Sequence, residues 1–168
     1  MRFPLVWVLA LGLAASAAGA ADFSVTKVRL RQNSSGQGDN STLRMQGFFV
    51  TTPPTDVFTA ANGVTIRVTD AIATDQTVVW ASIDCVTLTN GKTKCFGGGQ
   101  KYVKLDLKPL RGIPSAYAVT MKVRNLNLQG PFDGPVTVTV TENGSGVDRT
   151  GSVADCVLRV SGLSCRAF

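Results

Sequence analysis

The chain has 168 residues, with 17 Lys and Arg against 11 Asp and Glu, four cysteines and no histidine. Without histidine, Ser-His-Asp and Cys-His catalysis, histidine zinc centres and histidine pH sensing are excluded. The length suits one domain of the usual size of about 100 to 200 residues, and the net charge of +6 directs any long-range electrostatic recognition toward anions.

Residues 1–20 read as a signal peptide. Arg2 is the only charge before Asp22, Leu5 to Leu13 is apolar, and Ala18-Gly19-Ala20 is a small-x-small cleavage site. The apolar run is shorter than the roughly 20 residues of a spanning helix. No second such run follows, so no transmembrane segment is expected in the mature chain. The short, alanine-rich leader points to a secreted or periplasmic bacterial protein. Its removal takes away Arg2 alone and leaves 16 basic against 11 acidic residues.

From Asp22 onward the apolar residues alternate with a period of two. Val28 and Leu30, Leu43 and Met45, Val64, Ile66 and Val68, Leu105 and Leu107, Val119, Met121 and Val123, and Val136, Val138 and Val140 each lie on one strand face. Asn62-Gly63, Asn90-Gly91 and Asn143-Gly144 supply turns. This pattern predicts an all-β fold: an antiparallel β-sandwich, or an open barrel, of about ten strands. Near the start, Phe23 and Val25 have the opposite parity to Val28 and Leu30, which a bulge or a break near Thr26 would reconcile.

Two repeats are legible within a single domain spanning 21–168, repeat one at 21–99 and repeat two at 100–168. Val64-Thr65-Ile66-Arg67-Val68-Thr69-Asp70 is echoed by Val136-Thr137-Val138-Thr139-Val140-Thr141-Glu142, and Asp84-Cys85-Val86 by Asp155-Cys156-Val157. Val28 to Arg31 is echoed by Val103 to Asp106, and Leu43 to Gly47 by Leu126 to Gly130. Val50 to Asn62 reads as an insertion in the first copy. Four cysteines allow three pairings, and only Cys85 with Cys95 and Cys156 with Cys165 gives each repeat its own hairpin bridge. If Cys85 faces Cys95, the tip is Thr89-Asn90-Gly91 with Gly91 left-handed. The second hairpin has the other parity, which predicts a four-residue tip from Arg159 to Gly162, or a bulge. The spacings and the exported context argue against a tetracysteine zinc site.

No nucleophile elbow, phosphate loop, dinucleotide fingerprint or EF-hand loop is present, and no catalytic residue, metal site or cofactor is expected. Asp84 and Asp155 are the one repeated acidic feature. Their expected role is structural, facing water or accepting a backbone hydrogen bond in a nearby turn rather than holding calcium. The basic residues offer a candidate surface for an anionic partner: Lys27, Arg29 and Arg31 share one strand face, Lys122 and Arg124 another, and Lys101, Lys104, Lys108 and Arg111 cluster after the Gly97-Gly98-Gly99 tract. The plainer role of such charges is solubility and blunting of edge pairing. No aromatic residues interleave with them, which makes nucleic acid the weakest partner. Trp80, Tyr102 and Tyr117 would suit a sugar platform, but Val78-Val79-Trp80 reads as a buried strand. The expected function is therefore an exported, non-enzymatic module with a protein or an anionic polysaccharide as partner. The alternatives are a secreted hydrolase using aspartates, or a hydrolase inhibitor presenting Lys92-Thr93-Lys94 on a rigid loop.

Overall fold

The computed structural model describes residues 21–33, 39–52, 58–97, 103–113, 115–145 and 147–168. Twelve strands and no α-helix occur among them: β1 (Ala21–Arg31), β2 (Asp39–Val50), β3 (Val64–Thr69), β4 (Asp75–Trp80), β5 (Cys85–Thr87), β6 (Thr93–Phe96), β7 (Lys104–Pro109), β8 (Ala116–Asn127), β9 (Val136–Glu142), β10 (Asp148–Val153), β11 (Cys156–Arg159) and β12 (Gly162–Arg166). The hydrogen-bonded order is β4-β3-β9-β10-β1-β2-β8-β7-β6-β5, with β12 joined to β1 and β11 to β12. These strands form one nearly closed sheet.

Period-two patterning is what the strands use. In β9 the three valines are fully buried while Thr137, Thr139 and Thr141 face outward, where their hydroxyls pair with Ser152 at 2.8 Å, Thr150 at 3.0 Å and Asp148 at 2.6 Å on β10. One apolar cluster takes residues from nearly every strand, including Val28, Leu43, Met45, Ile66, Trp80, Leu105, Met121 and Val138. Trp80 is fully buried, as its strand context predicts.

The sheet is mixed, which corrects the antiparallel expectation. Ala21 and Asp22 at the start of β1 pair in parallel with Arg149 and Thr150 of β10, whereas Lys27 to Arg31 of the same strand pair antiparallel with β12. The predicted bulge makes this exchange of partners feasible. The β1–β2 register slips between Val25 and Lys27, and the Thr26 hydroxyl donates to the Gln46 carbonyl at 3.1 Å. Phe23 and Val25 on one side of the slip, and Val28 and Leu30 on the other, are all buried. Gly151 lies where β1 crosses β10. A Cβ there would sit 1.6 Å from the Phe23 carbonyl oxygen.

Both disulfides form as predicted, Cys85–Cys95 and Cys156–Cys165. In the first hairpin Thr87 faces Thr93, the Leu88 N–H donates to the Lys92 carbonyl, and Gly91 has φ of 74°, so the three-residue tip is the expected one. The second tip is shorter than predicted. Arg159 pairs with Gly162, leaving only Val160 and Ser161 to turn the chain. The reason is packing: Gly162 belongs to β12, opposite Arg31, and a Cβ on it would meet the Leu30 carbonyl at 2.0 Å.

Exchanging β1–β6 with β7–β12 reproduces nearly every pairing. β1·β2 corresponds to β7·β8, β3·β4 to β9·β10, β5·β6 to β11·β12 and β6·β7 to β12·β1, while β2·β8 and β3·β9 map onto themselves. The register keeps the β3 and β9 echo but moves two others. Val28, opposite Cys165, corresponds to Leu105, opposite Cys95, and Leu43, opposite Leu30, corresponds to Val119, opposite Leu107. The β2–β3 connection at 51–63 is longer than the β8–β9 connection at 128–135.

Candidate functional site

Residues with outward parity on β1, β2, β8 and β7 build the candidate surface. Arg29 lies opposite Arg44, Arg44 opposite Lys122, and Lys122 opposite Lys104. Four cations therefore stand in one row across four adjacent strands. At an interstrand spacing of about 4.8 Å the row is about 14 Å long. It continues through Phe96 on β6 at one end, and through Ser164 on β12 to Val157 on β11 at the other. Phe96 and Val157 are about half exposed. A depression of about 190 Å³ lies over the buried Met45–Met121 pair, between Lys27, Arg29, Arg44 and Lys122, and a second, of about 180 Å³, lies between Arg29, Arg31 and Arg159. A larger hollow of about 430 Å³ beside Gln76, Asn127 and Gln129 has no charged side chain in its lining.

The electrostatics of the row are uncompensated over most of its length. Among the described residues Arg29, Arg44 and Lys122 have no ion-pair partner; Lys104 pairs with Asp106 in the neighbouring row at 3.0 Å, and Lys92 reaches the same carboxylate at 3.2 Å. Burial pushes the Asp106 carboxyl up, but hydrogen bonds from Lys104 and Lys92, with their charge, outweigh it and hold the group below its ordinary value. The Lys122 ammonium is pulled below its ordinary value by Arg124 first, then by burial, Arg44 and Lys104. Like charges directly opposite one another destabilise a sheet.

The structure thus brings together Arg29, Lys104 and Lys122 from the sequence expectation. Lys27 and Arg31 flank Arg29 along β1, Arg124 follows Lys122 on β8, and Lys101 lies outside the described residues. Lys108 and Arg111 stand apart, beside Asn90 and Pro109. Arg44 is the residue that sequence reasoning missed. Its place between the inward Leu43 and Met45 marks it as outward-facing, but only the β1-β2-β8 order makes it the centre of the row.

Other candidates disperse. The Asp84 carboxylate accepts the Ala81 N–H at 3.0 Å, a structural role, and its connector leads into β5 while that of Asp155 leads into β11, at opposite edges of the run β5-β6-β7-β8-β2-β1-β12-β11. Asp70 accepts N–H groups from Ile72, Ala73 and Thr74, Asp75 pairs with Arg67, and Asp133 accepts the Gly134 N–H, so each of these carboxylates is occupied locally. Among the described residues no group of three or more acidic or cysteine side chains is placed to hold a metal ion. Lys92-Thr93-Lys94 is not a loop tip: Thr93 and Lys94 are in β6, and Thr93 is buried against the Thr87 hydroxyl at 2.9 Å. The sugar platform fails as well. Trp80 is internal, Tyr117 packs against Phe49 and Phe58 beneath the buried Arg149 guanidinium, and Tyr102 lies outside the described residues.

Comparison with protein-family models, curated proteins and solved structures gave no match to this chain. Among the described residues no helix is long and apolar enough to cross a membrane. The functional reading therefore rests on the geometry of the basic face.

Proposed function

We propose that this chain is an exported, non-enzymatic β-module of bacterial origin that holds an anionic polymer on the outer face of β12, β1, β2, β8 and β7. The observation that supports it is the row Arg29–Arg44–Lys122–Lys104. Charges spread for solubility alternate with acids or point apart. Here three of the four face one another with no carboxylate bound to them among the described residues, an arrangement that costs stability in the free protein and is offset when a polyanion lies across it. The two hairpin disulfides suit an oxidising compartment, in keeping with the leader at 1–20. We read the exchangeable strand pairing as the result of duplication of a six-strand unit.

Chromatography on immobilised heparin tests this reading. Retention should persist above about 0.15 M salt, where exposed charges more than about 8 Å apart are largely screened, and Arg44→Glu should shift elution to markedly lower salt. Elution below that ionic strength, or an unchanged profile for Arg44→Glu, would exclude the basic face as a polyanion site.

A further inference from the structure

Resting on the polyanion reading above, we infer that the polymer is a linear acidic polysaccharide carrying one carboxylate per sugar, and that it lies across the strands along the row rather than along any one strand. The row presents one cation per strand, at intervals of about 4.8 Å. Successive rings of an extended pyranose chain advance by a similar distance and turn about the chain axis, so the carboxylates on one side of a two-fold polyuronate meet every second cation of the row, Arg29 with Lys122 or Arg44 with Lys104. A chain running along β1 would meet Lys27, Arg29 and Arg31 instead, at every second residue of the strand, a spacing of about 6.7 Å.

The ends of the row fit a sugar polymer. Phe96, 50% exposed and directly opposite Lys104, offers a flat ring to the C–H face of a pyranose. Val157, 48% exposed, closes the other end beyond Ser164. Single-stranded nucleic acid wants aromatic rings interleaved with its cations so that successive bases stack, and Phe96 is the only aromatic side chain in the row. A membrane surface wants a continuous apolar patch beside the cations; the outward neighbours of Arg44 and Lys122 along β2 and β8 are Thr42, Gln46, Thr120 and Arg124, and the exposed Phe168 beside Arg29 adds one side chain rather than a patch.

Titration of the disulfide-intact protein with oligogalacturonates of increasing length tests the inference. Affinity should climb with each sugar up to about four or five, the number that spans a row of about 14 Å, and then level off. Two double variants remove the same net charge and so change the long-range field equally. Arg44→Ala with Lys122→Ala, in the row, should weaken the five-sugar oligomer about tenfold, as expected for the loss of one exposed charge contact in either register on top of the field effect. Lys27→Ala with Arg31→Ala, along β1, should weaken it by only about twofold, the field effect alone. Phe96→Ala should lose affinity several-fold, with recovery in Phe96→Trp. Equal losses from the two double variants, an unaffected Phe96→Ala, or binding as tight to single-stranded DNA or to anionic phospholipid vesicles at matched salt would each overturn the inference. If heparin retention persists while any of these results appears, the broader reading stands and the polyuronate assignment falls. If retention is lost as well, both fall.

Discussion

Arg44 on β2 and Lys122 on β8 face each other directly across the antiparallel pair that carries the pseudo-two-fold of the strand order, one register step from Met45 opposite Met121. Among the described residues neither has an ion-pair partner. Arg29 and Lys104 extend the same row on either side. Arg44→Glu converts three adjacent cations into an alternating row. Opposite charges across a strand pair contribute roughly 0.2 to 1 kcal/mol, so this variant should be more stable to urea by about 0.5 to 1 kcal/mol while binding heparin more weakly. An Arg44→Glu protein that is destabilised would show that the like-charge row carries no internal cost.

Gly151 explains where the parallel join forms. A methyl group at this position meets the Phe23 carbonyl at 1.6 Å and its carbon at 2.7 Å, both backbone atoms of β1, so relief requires β1 to leave β10. Gly151→Ala should destabilise the fold by about 3 kcal/mol, the upper end of typical overpacking costs. Amide exchange should quicken in Ala21–Val25 while the β1–β12 segment after Thr26 stays protected. Wild-type stability in this variant would place β1 elsewhere.

Asp70 organises the β3–β4 turn. Its Oδ1 accepts the N–H groups of Ile72, Ala73 and Thr74 at 3.0, 2.8 and 2.8 Å, and its Oδ2 accepts the Thr74 hydroxyl at 2.9 Å. Burial pushes the carboxyl up, but these bonds outweigh it and hold it below its ordinary value. A carboxylate whose pKa falls on folding stabilises the protein above the unfolded value of about 3.9, and that contribution drains away as pH drops through the lower folded value. Asp70→Ala should cost about 1 to 3 kcal/mol at neutral pH. Urea midpoints of the two proteins should converge as pH falls below about 4. A gap that stays constant over that range would refute the charged role of the turn.

The two disulfides secure different edges. Among the described residues β11 pairs with β12 alone, whereas β12 is also paired with β1. Replacing Cys156 and Cys165 by serine should cost about 2.5 to 3 kcal/mol on chain-entropy grounds. The loss should be local first: amide exchange at Val157 to Arg159 should approach that of free chain, while Leu163 to Arg166 on β12 remains protected. Simultaneous loss of protection in both strands would show that the bridge supports β12 as well.

Parity and cysteine spacing alone determined much of this protein. The alternation of Val136, Val138 and Val140 with threonine admits only one buried face, the phase change between Val25 and Val28 calls for a bulge or a break, and a Cys85 that faces Cys95 gives an odd tip with Gly91 left-handed. These are local constraints, because a side chain's face is set by its neighbours one and two residues away. The partners of each strand were a different matter. That β1 leaves β10 for β12 at Thr26 depends on how closely Gly151 lets two backbones approach, and the two-residue turn at Val160-Ser161 depends on Gly162 fitting against Leu30. Neither contact leaves a periodic trace in the chain. The same holds for the basic face: Arg29, Lys104 and Lys122 were visible as outward charges, but strands distant in sequence become neighbours only through burial of a common core. That tertiary order placed Arg44 among them and turned scattered charges into a row.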